Sequence, residues 1–70
     1  MTPKQLTAAR KRLGLGPVEM ANALGVPYQT FKSWQAGRRA MPSVAIRCVE
    51  LLELLPARIV ERLAEQRPVD

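Results

Sequence analysis

The 70-residue chain contains no histidine and a single cysteine, Cys48. One thiol cannot close an internal disulfide, and without imidazole there is no credible set of zinc ligands. Catalysis is equally poorly provided for. No acid pair, nucleophile–base constellation or glycine-rich phosphate loop stands out, so no enzyme activity, cofactor, metal or small-molecule ligand is expected. Aromatics make up only 4% of the chain, and Tyr28, Phe31 and Trp34 all fall in one short stretch. No apolar run approaches the roughly 18 residues needed to cross a bilayer. The densest, Val44 to Leu55, is interrupted by Arg47, Glu50 and Glu53. Alternating strand patterns, internal repeats and low-complexity segments are also missing. With a lone thiol and no signal-peptide pattern, a cytoplasmic protein is expected.

Acids are scarce at the front of the chain. Residues 1–47 hold eight basic side chains against one acid, Glu19, whereas residues 48–70 hold three against five. A basic front and a mildly acidic tail point to a polyanion as partner of the first part alone. What is plentiful is apolar surface, 47% of residues, enough for a real core in a single domain near the lower size limit.

Every periodic segment reads as a helix. "TPKQLTAARKRL" opens with Thr2 as N-cap, Pro3 at the first helical position and Gln5 completing a capping box. Leu6, Ala9 and Leu13 then form one stripe, and Gly14 ends the helix. "GPVEMANAL" restarts at Gly16 and Pro17, puts Glu19 in the first turn, and buries Met20, Ala21 and Leu24 until Gly25 stops it. A third helix runs from Tyr28 to Ala36, ended by Gly37, and a basic loop follows from Arg38 to Pro42. Ser43 is expected to cap a fourth helix, Val44 to Leu55. Pro56 restarts the chain into a fifth, Ala57 to Gln66, with Ile59, Val60 and Leu63 on one side. The fold class expected is all-α, with five short helices.

The third helix has two contrasting faces. At about 100° per residue Phe31 and Trp34 point one way, with Thr30 and Gln35 at the margins. Tyr28, Gln29, Lys32, Ser33 and Ala36 cover the other arc. Their hydroxyls, amide and cation suit base edges and phosphates of double-stranded DNA. Gln29, Lys32 and Ser33 are therefore expected to read bases; Tyr28, at the helix start, meets a base or a phosphate. Arg38 and Arg39 suit phosphate, and Thr30 is a partly buried hydroxyl or a phosphate contact. Lys4, Arg10, Lys11 and Arg12 are weaker candidates. Ala21, small at a close helix approach, and the turn at Gly25 complete a tight two-helix unit over about residues 17–36, the helix-turn-helix arrangement.

"LGLGPVEMANALGVPYQTFKSWQAGRRAMPS" resembles the lambda-repressor-like, Cro-type (XRE) helix-turn-helix family of phage and bacterial regulators. Met20, Ala21, Leu24, Gly25, Val26, Phe31 and Trp34 match its pattern in register. "SWQAG" looks like the family's Trp-Glu-x-Gly ending, and "MPS" like the proline before its fourth helix. The resemblance spans about residues 4–55 and implies a sequence-specific DNA-binding regulator. Two positions depart from it. The family commonly opens its second helix with a polar cap and a glutamine that bind a DNA phosphate, where this chain has Gly16 and Pro17. Pro17 has no N–H, leaving only the backbone of Val18 or Glu19 for that contact. Gln35 stands where the family usually carries a glutamate paired with an arginine of the first helix, here Arg10. Gln35 is expected to bond Arg10 without compensating its charge, or to free Arg10 to reach phosphate.

The fourth helix is apolar nearly all round and needs cover on more than one side. A homodimer through residues 44–66, using Val49, Leu52, Ile59, Val60 and Leu63, is the expected cover. The competing reading has the fifth helix fold back and close a monomeric core. Cys48 is expected to be a small buried hydrophobe. Two functions follow: a dimeric repressor on an inverted-repeat operator, or an antitoxin or adaptor working through residues 44–63.

Overall fold

Helix starts and stops in this chain are set by proline and glycine, and the architecture follows from where they stand. The computed structural model describes residues 1–66, which form α1 (Pro3–Leu13), α2 (Pro17–Leu24), α3 (Tyr28–Gln35), α4 (Ser43–Leu54) and α5 (Ala57–Ala64). No strand occurs among the described residues, and the fold is all-α. Arg67 and Asp70, part of the charged tail, lie outside them.

The capping box of α1 forms as the sequence predicts: the Gln5 N–H donates to Thr2 Oγ1 at 3.1 Å, and the Thr2 N–H to Gln5 Oε1 at 2.8 Å. In α2 only half of that device exists. Glu19 Oε1 accepts from the Gly16 N–H at 2.8 Å, while Gly16 has no side chain to reciprocate. Ser43 is not the N-cap of α4. Pro42, extended at φ −67° and ψ 155°, takes that position, and its carbonyl accepts the Ile46 N–H at 3.1 Å. The helix thus begins one residue early, and α3 and α5 end one or two residues sooner than the periodicity suggested, the usual uncertainty of a helix end.

The turn between α2 and α3 takes three residues. The Gly25 N–H donates to the Asn22 carbonyl at 3.0 Å and the Val26 N–H to Ala21 at 3.1 Å, closing the helix with a Schellman motif. Gly25 sits at φ +73°, the left-handed region where a Cβ is costly. Pro27 then fixes the backbone and presents its carbonyl to the N–H groups of Thr30 and Phe31.

One core draws on all five helices. Leu6, Met20, Phe31 and Val49 are its largest fully enclosed side chains. Helix α2 is central, packed against α3, α4 and α5, and α1 covers α3 and α4 from the other side. Phe31 and Trp34 are both buried, as their spacing predicts; Leu24 is only half-buried.

The expected dimer surface is corrected here. Val49, Leu52 and Val60 expose only 1%, 4% and 3% of their surface within one chain, so they are core and cannot meet a second copy. Ile59 and Leu63 are half-buried. The physical reason is that α5 folds back on α2, where the Asn22 amide donates to the Ala64 carbonyl at 3.1 Å. Cys48 is half-buried rather than enclosed. No described helix is long and apolar enough to cross a membrane.

Candidate nucleic-acid interface

Helix α3 owes its orientation to its two buried aromatics. With Phe31 and Trp34 held in the core, the opposite arc must face outward. Tyr28, Gln29, Lys32 and Ala36 are exposed there, and Ser33 and Thr30 are half-buried at its edges. The structure therefore brings together all the residues predicted to read bases.

They are not equally free. The Ser33 hydroxyl donates to the Gln29 carbonyl one turn earlier at 3.0 Å. Its proton is engaged, so only its lone pairs remain to accept from a base. Gln29 keeps both amide groups available, and no ion pair engages Lys32 among the described residues.

Arg38 and Arg39 follow α3 directly, and their placement is a consequence of Gly37. At φ +75° Gly37 lets the chain reverse, its N–H donating to the Trp34 carbonyl at 3.1 Å. The Arg38 N–H then donates to the Ser33 carbonyl at 2.9 Å, a second Schellman closure. Both arginines are exposed beside the end of α3 and have no acidic partner among the described residues. Lys4 and Lys11 are likewise exposed and unpaired there, whereas Arg12 is held by Glu53 at 2.8 Å.

Arg10 does not belong to this surface. It is half-buried, and its Nη1 donates to the Leu15 carbonyl at 2.8 Å, pinning the loop between α1 and α2. Gln35 does not bond it either. The Gln35 amide donates instead to Thr7 Oγ1 and to the Pro3 carbonyl, tying α3 to the first turns of α1. Arg10 Nε and Gln35 Oε1 are both buried without a partner. Gln35 and Arg10 thus make two separate links, neither of them an ion pair.

One feature was invisible in the sequence. Pro17, Tyr28, Phe31, Lys32, Gln35 and Ala36 line a shallow, largely apolar depression of about 190 Å³ on the flank of α3 beside the start of α2. Pro17 lies eleven positions before Tyr28, and only the packing of α2 on α3 brings them together. The start of α2 is also less receptive to anions than its dipole alone implies, since Pro17 has no N–H and the Glu19 carboxylate already occupies the Gly16 N–H. Comparison of the chain with protein-family models, curated proteins and solved structures gives no match, so the case for its function rests on these side chains.

Proposed function

We propose that the protein is a sequence-specific DNA-binding transcriptional regulator with a lambda-repressor-like helix-turn-helix, in which α3 enters the major groove and a homodimer binds an inverted repeat. The observation that carries this reading is the outward face of α3. Four exposed or half-exposed polar side chains, none held in an ion pair among the described residues, are flanked by two arginines that follow the Gly37 turn at the helix end. Gln29 and Lys32 offer hydrogen bonds to base edges, and Arg38 and Arg39 neutralise phosphates. The apolar depression beside Tyr28 suits a thymine methyl group at the margin of the same groove. Binding would act by occluding polymerase, with no chemical step.

The alternative, an antitoxin or adaptor acting through residues 44–63, would have to use the exposed Val44, Leu51 and Leu54, because Val49, Leu52 and Val60 serve the core. Selection of bound sequences from a random DNA pool with the purified full chain tests the proposal. A palindromic sequence should be enriched; recovery of the input distribution would overturn it.

A further inference from the structure

We infer that Glu19 holds DNA phosphate away from the start of α2, so that the duplex backbone is gripped at one end of α3 and repelled on its flank. The inference rests on the regulator reading for the presence of DNA, and it assigns a residue that this reading leaves unused.

The start of α2 already holds an anion. The N–H groups of Val18 and Glu19 have no acceptor within the helix and Pro17 has no N–H, so the positive end of the helix dipole faces outward there. Such an end attracts negative charge, and the chain supplies its own. Glu19 Oε1 folds back over the first turn to accept from the Gly16 N–H at 2.8 Å. A Cβ at Gly16 would lie 3.2 Å from that oxygen, so the glycine leaves the carboxylate room to settle there. A carboxylate carries a full negative charge against the roughly half positive charge of a helix end. The first turn of α2 is therefore net negative.

No cation offsets it. Glu19 is exposed and in no ion pair among the described residues, although residues 1–47 hold eight basic side chains. Pro17, in the same turn, shares a depression with Tyr28 and Lys32, so the start of α2 borders one flank of α3. A helix lying in the major groove has a sugar–phosphate strand along each flank, and the strand on this side passes the Glu19 carboxylate. At the end of α3, Arg38 and Arg39 follow the Gly37 turn, exposed and unpaired among the described residues. Attraction and repulsion are thus separated within one interface. The consequence is a weak hold on duplex of arbitrary sequence.

As a cap Glu19 needs only an acceptor oxygen, whereas as a repelling group it needs its charge. Glu19→Gln separates the two roles, because glutamine keeps the oxygen and loses the charge. Circular dichroism should stay unchanged. Fluorescence anisotropy on a random-sequence duplex at about 0.1 M salt should show binding about three- to tenfold tighter than for the unaltered chain, with a salt slope steeper by up to about 1. Glu19→Lys moves the charge a second step and should gain a further factor of similar size. Glu61→Gln is the control. Glu61 is exposed and unpaired on α5, outside the proposed interface, and its loss changes net charge by the same amount. Charges more than a Debye length of about 10 Å from the duplex are screened, so its effect should stay below about twofold. Equal affinities for Glu19→Gln and the unaltered chain, an equal gain for Glu61→Gln, or a gain confined to one sequence would each overturn the inference. Absence of duplex binding by every variant would overturn it together with the regulator reading. A pool selection that returns the input distribution, while the Glu19 series still tightens binding, would remove the regulator reading alone.

Discussion

Lys32 and Arg38 separate the two kinds of contact that the proposed interface combines. Lys32 rises from the middle of the exposed face of α3, whereas Arg38 sits beyond its end. Once a site is in hand, Lys32→Ala should cut the ratio of operator to random-DNA affinity by about 1–3 kcal/mol. Arg38→Ala should weaken both alike and lower the slope of log affinity against log salt by about 1. Filter binding or fluorescence anisotropy across a salt series measures both quantities, and equal loss on all sequences for Lys32→Ala would remove it from the base readers. At this scale the sequence was informative where one side chain faces solvent or core, as with Phe31, Trp34, Gln29 and Lys32. It was uninformative where a polar group has several partners within reach. Arg10 and Gln35 choose a loop carbonyl and the start of α1, and nothing in residue spacing distinguishes these from each other or from phosphate.

Among the elements, the α2–α3 turn is the most tightly specified. A Cβ added to Gly25 would meet nothing within 4 Å, so Gly25→Ala isolates the backbone cost of the left-handed conformation. A loss of about 1–2 kcal/mol in urea unfolding is expected, and Gly25→Asn should lose less because asparagine tolerates that region better. Equal stability of all three proteins would mean that the turn does not depend on it. Glycines and prolines made all five helices legible to within a residue or two. Helix α4 shows where such reading stops. Its apolar residues cover most of the circumference, and periodicity cannot say which of three sides the rest of the chain will claim. Only the packing assigns Ala45, Val49 and Leu52 to the core and leaves Val44, Leu51 and Leu54 outside.

For the whole molecule the open choice was whether α5 serves a second copy or its own core, and the two answers predict different fates for a shortened chain. Val60 and Ala64 are buried against the body of the domain, and α5 makes its principal contact with the central α2. Ending the chain at Pro56 removes those side chains, the Asn22–Ala64 hydrogen bond and the cover over α2. Losing a buried valine with its neighbours costs at least about 3 kcal/mol, a large share of the stability that so small a domain can hold. The truncated chain should therefore lose cooperative thermal unfolding and much of its helical circular dichroism, at low and high concentration alike. Were α5 a dimerisation arm, the same truncation would leave a folded monomer with an unchanged urea midpoint. Concentration independence separates these outcomes, because a fold that depended on pairing would recover helicity as the protein is concentrated.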